Sequence, residues 1–73
     1  MIKLTFKNWL LRFENVKLPI GDIARDIKDD KDFPNINDRE SIFGYLEEQH
    51  CSDKAIRTFE NAWDYFISEI GLQ

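Results

Sequence analysis

The chain has 73 residues, ten Lys or Arg against fourteen Asp or Glu, and a net charge of −4. That length sets one domain, residues 1–73, which buries only about 60% of its unfolded surface. It leaves little interior for an enclosed ligand pocket of about 300 Å³ or more, so neither an enzyme nor a cofactor site is expected.

The lone cysteine, Cys51, excludes an internal disulfide. Small secreted domains depend on several such bridges. Met1 leads into Ile2-Lys3-Leu4-Thr5 with no secretory pattern, and no apolar run approaches the roughly 20 residues of a membrane span. A reducing cytoplasm is the expectation, with no membrane contact. Six Phe, two Trp and two Tyr supply a core without staples, each burying a large apolar area. Net stability of about 4–11 kcal/mol follows from the chain length.

Thr5 is a suitable N-cap for a first helix over 6–14. Phe6, Trp9, Leu10 and Phe13 recur at the i, i+3, i+4, i+7 spacing of a core-facing stripe. Leu11 points away from that stripe, onto a second face shared with Leu4. Residues 15–19 read as a connector, because the residue before Pro19 avoids helical dihedrals. A second helix over 22–30 has Ile20, Ile23, Ala24 and Ile27 as its apolar edge and Asp22 at its positive end.

The acidic stretch 29–38 fails as a calcium loop. Counted from Asp30, Pro34 takes the fifth position, Asn35 the place of the required glycine, and Ser41 that of the bidentate Glu. Phe33 and Ile36 read instead as anchors that pin a polar connector, with room for a single helical turn. Asn37 and Glu40 have the spacing of a capping box for a third helix over 39–49, closed by His50-Cys51. The fourth helix, 53–70, follows Ser52 as N-cap and precedes Gly71 as a left-handed C-terminal residue. Its stripe of Ile56, Phe59, Ala62, Trp63, Phe66, Ile67 and Ile70 spans an arc of about 140° and makes it the spine of the core.

No site of known chemistry emerges. His50 and Cys51 are sequence neighbours, whereas a nucleophile and its base converge from separate elements. They are also two ligands where zinc needs about four. The three glycines are isolated and form no phosphate cradle. Charge, however, is uneven. Through Leu18 the chain carries Lys3, Lys7, Arg12 and Lys17 against Glu14 alone, a net of +3, and the remainder carries −7.

The ordered series Phe6…Trp9-Leu10, Gly21-Asp22-Ile23-Ala24-Arg25-Asp26-Ile27, Phe33-Pro34, Ile42…Tyr45-Leu46-Glu47 and Phe59…Ala62-Trp63-Asp64-Tyr65 resembles the YozE-like family. These are short cytoplasmic proteins of Gram-positive bacteria. The resemblance implies an all-α fold: a small SAM-like (sterile alpha motif) orthogonal bundle of four to five helices ending in a long one. It implies no catalytic residues. Where the family has a basic residue after Phe-Pro, this chain has Asn35, which removes a basic contact there.

Two functions remain. One is a protein–protein interaction module, self-association included, with Lys3, Lys7, Leu11, Arg12, Lys17 and Tyr65 as the candidate contact surface. The other is nucleic-acid binding, which needs the basic N-terminal residues on one face and is opposed by a net charge that repels phosphate backbones.

Overall fold

The computed structural model describes residues 4–71 and contains four helices: α1 (Phe6–Leu11), α2 (Pro19–Lys28), α3 (Arg39–Glu48) and α4 (Asp53–Ile70). The expected order is present, and the described residues include no strand. α1, α2 and α4 pack on one another pairwise. α3 joins them through buried Ile42 and Leu46.

The ends of the helices follow from local chemistry. Thr5 accepts from the Asn8 amide at 3.2 Å, and Ser52 from the Ala55 amide at 3.1 Å. These bonds satisfy donors that the first turn leaves open. Gly71 ends α4 at φ 70°, in the left-handed region.

Four boundaries differ from expectation. The helix expected over 6–14 ends at Leu11, after which the Arg12, Phe13 and Glu14 amides reach back only three residues, at 3.0–3.3 Å. This tightened, 3₁₀-like spacing turns the chain toward α2. Expected over 22–30, α2 begins at Pro19, directly after extended Leu18, and ends at Lys28. Proline at the first helical position lacks an N–H that would be unpaired there anyway. α3 ends at Glu48, and its N-cap is Asp38, not Asn37.

Asn37 serves a different helix. Its Oδ1 accepts from the Phe6 amide at 2.8 Å, and its Nδ2 donates to the Leu4 carbonyl at 3.1 Å. Thr5 Oγ1 lies 2.5 Å from Asn35 Oδ1 and donates to it. The polar connector thus closes the start of α1, at a sequence distance beyond the reach of any local capping rule. Phe33 anchors this connector in the core. Ile36, expected beside it, is instead 47% exposed, and no helical turn forms over 31–36.

The core is aromatic at its centre. Phe66 is fully buried and lies 5.5 Å from Phe6, 5.5 Å from Trp9 and 5.6 Å from Trp63, ring centre to ring centre. Phe6 also meets Trp63 edge-on at 5.2 Å. A second group joins Phe33 to Tyr45 and Phe59. Phe43, off the main stripe of α3, packs at the core edge under the Arg39 guanidinium, 4.6 Å from its ring centre. Arg39 also pairs with Glu60 of α4 at 3.8 Å.

Candidate functional site

One flank of α4 is not covered. Its core stripe faces inward, and Tyr65, about 100° round the helix from Phe66, projects from the side. Tyr65 is 69% exposed, and its hydroxyl makes no hydrogen bond to any described residue. Across from it stand Leu18, 62% exposed, and half-buried Ile20. Neither Tyr65 nor Leu18 belongs to the core cluster.

Between these elements runs an open groove. A section of about 420 Å³ has Trp9, Phe13 and Ile20 as its apolar floor and wall, with Tyr65, Ser68 and Glu69 opposite. A neighbouring section of about 290 Å³ lies between Leu18-Pro19-Ile20 and Thr58, Asn61, Ala62 and Tyr65. Tyr65 is common to both. The small interior expected from the chain length therefore coexists with surface space of ligand size, formed between elements and not within the core.

Glu69 accepts a hydrogen bond from the indole Nε1 of Trp9, so the largest buried ring has its polar edge satisfied at the groove margin. Asp64, exposed, borders the outer side of Tyr65 together with Asn61 and Ser68. The lining of these sections contains no basic residue. Outside the lining, Arg25 donates to the Glu14 carbonyl at 2.6 Å and Lys28 pairs with Glu14 at 2.7 Å. Both links tie α2 to the segment after α1. They are exposed and each contributes little to stability.

Of the candidate contact residues, Tyr65 alone lines the groove. Lys3 lies outside the described residues. Lys7 is half-buried, and Leu11 is half-buried against the core, whereas Leu4, expected on the same face, is 36% exposed. Arg12 and Lys17 are exposed. Lys7 and Arg12, five positions apart, project roughly 140° from each other around the helix, so these two do not share one face. No sequence periodicity links Leu18 or Ile20 with α4. By sequence, Ile20 belongs to the apolar edge of the second helix and Leu18 to the 15–19 connector.

Other places offer less. A cleft of about 110 Å³ beside Asp30, Tyr45 and Cys51 is too small for an ordinary ligand. Burial pushes the Cys51 thiol up from its usual range, and Asp26 and Asp30 push it further, which disfavours the nucleophilic thiolate. Among the described residues no three His, Cys, Asp or Glu side chains form a group able to hold a metal ion. No helix of the described residues is long and apolar enough to cross a membrane.

A small all-helical bundle closed by one long helix, with its accessible apolar surface between that helix and the α1–α2 connection, defines a compact helical domain of the SAM-like class. The family model described as the YozE SAM-like fold matches residues 5–68, and the chain belongs to that family. No match was found among the curated proteins or among the solved structures. Membership fixes the fold and assigns no activity.

Proposed function

We propose that this chain is a non-catalytic protein-interaction module that docks a partner in the groove around Tyr65. The observation that carries this reading is the pairing of Tyr65 and Leu18, two large apolar side chains left more than half exposed on facing walls of one groove. Contiguous apolar surface of this kind has a hydration cost that a partner removes. Tyrosine suits such a site because it presents a large rigid ring and a hydroxyl able to bond across the contact. Nucleic-acid binding gains no support from the separation of Lys7 and Arg12 around α1. A cytoplasmic setting agrees with the single, half-buried cysteine.

The test compares proteins captured from the native cell extract by the wild-type chain and by a Leu18→Ser/Tyr65→Ser variant. Both side chains are exposed, so the variant keeps the fold. A partner retained by the wild type and lost by the variant supports the reading, whereas the same proteins captured by both contradict it. Sedimentation of the wild-type chain at several concentrations separates self-association from binding to another protein.

A further inference from the structure

The groove has a shape and a charge that narrow its occupant. Resting on the reading of this groove as a docking surface, we propose that it takes a basic amphipathic helix of a different protein, with apolar anchors against Tyr65, Leu18 and Ile20 and a cationic flank beside Asp64 and Glu69.

Three observations lead there. The α4 wall runs from Thr58 to Glu69, about 16 Å at 1.5 Å per residue, the length of three turns of a partner helix. No strand edge exists among the described residues, so an extended peptide would find no ladder for its backbone. A helix brings its backbone already paired and needs only a side-chain groove. Finally, the charged residues at the margin are Asp64 and Glu69, with no lysine, arginine or histidine in the lining. Against a second copy, a groove-to-groove pairing would bring together two margins whose charged residues are all carboxylates, on chains that each carry −4. A cationic flank turns the same carboxylates into an attraction and speeds encounter.

The probes are fluorescein-labelled peptides of about 14 residues, roughly four turns. One carries Leu at i, i+3, i+4 and i+7 with Lys elsewhere, a second replaces Lys by Glu, and a third scrambles the Leu/Lys order. Binding is read by fluorescence anisotropy at about 50 mM and about 300 mM salt. Variants are Tyr65→Ala, Asp64→Lys, and Glu48→Lys on exposed α3 surface, which changes net charge as much as Asp64→Lys does.

The amphipathic Leu/Lys peptide is expected to bind the wild-type chain about tenfold or more tighter than the other two. Tyr65→Ala and Asp64→Lys are each expected to weaken it about tenfold, and Glu48→Lys by less than about twofold. Equal weakening by Asp64→Lys and Glu48→Lys overturns the cationic-helix inference, because attraction then comes from overall charge. If Tyr65→Ala still weakens binding in that case, the docking surface itself stands. Binding unaffected by Tyr65→Ala overturns both. A concentration-dependent dimer that excludes every peptide overturns the inference in favour of a second copy.

Discussion

The Val16 carbonyl oxygen occupies the space where a side chain at Gly21 would begin: a Cβ there would stand 1.8 Å away. It would also lie 2.8 Å from the Val16 carbonyl carbon and 3.1 Å from the Phe13 carbonyl oxygen. These are backbone atoms, which cannot rotate aside. The approach lets α2 start against the end of α1 and so forms one wall of the groove. Gly21→Ala is expected to cost about 3 kcal/mol, the upper end for overpacking a tight site. Gly44 is the control. A Cβ there meets nothing within 4 Å in the middle of α3, so Gly44→Ala should stabilise by about 0.5–1 kcal/mol. Chemical denaturation midpoints measure both, and a Gly21→Ala midpoint equal to that of the wild type contradicts the account.

The hub of the core is Phe66. It contacts three aromatic rings and is fully buried, while Trp63 retains 9% exposure at the edge of the same cluster. Both truncations to Ala fall in the range of about 3–5 kcal/mol, with Phe66→Ala the more costly because its cavity has no open side. Denaturation midpoints that rank Trp63→Ala as the more damaging would contradict this assignment.

Much of this was legible in the sequence, and the misses share a cause. The α4 stripe, its Ser52 and Gly71 ends, and the Thr5 cap all rest on spacing within a single helix, which sequence records directly. Asn37 looked like a local cap but bonds to Phe6 and Leu4, some thirty residues earlier, because the alternative partner exists only after folding. Ile36 was placed in the core by its chemistry alone, and the connector's anchor is Phe33. Tyr65 could be picked out as a side chain that the core stripe did not need. Leu18 could not, because the groove they share joins segments distant in sequence.

His50 has φ 57°, the one described non-glycine residue in the left-handed region. It occupies the position after the α3 C-cap, where its amide bonds to Glu47 at 3.0 Å and that of Cys51 to Leu46 at 3.3 Å. This pair is the closing pattern that favours glycine. His50→Gly removes the strain of a Cβ in that conformation but loosens the unfolded chain. A net gain of about 0.5 kcal/mol is expected, measured as a raised denaturation midpoint. A lowered midpoint would show that the imidazole supports the turn.

Alkaline pH should weaken the fold. The hydrogen bond from Tyr45 to Asp30, then burial, pushes the Tyr45 phenol up to about 12 from an ordinary 10.0. A hydrogen bond to Glu14 likewise raises Lys28 above 10.5. Each group holds its proton more tightly in the folded state. Their contributions are therefore fully present below about pH 10, and Tyr45's is lost as pH rises through about 12. Absorbance at 295 nm should contain a Tyr45 component with a midpoint near 12, which Asp30→Ala moves downward. A component unmoved by Asp30→Ala would assign the shift to another cause.

The most direct test is a ¹⁵N chemical-shift titration of the full chain with a partner recovered on the wild-type protein. The docking surface assigned here predicts the largest shifts at the amides of Leu18, Ile20, Asn61, Tyr65 and Ser68, with Glu47 and Glu48 of α3 unmoved. Shifts centred on α3 or on the 29–38 connector, with Tyr65 unchanged, would contradict it.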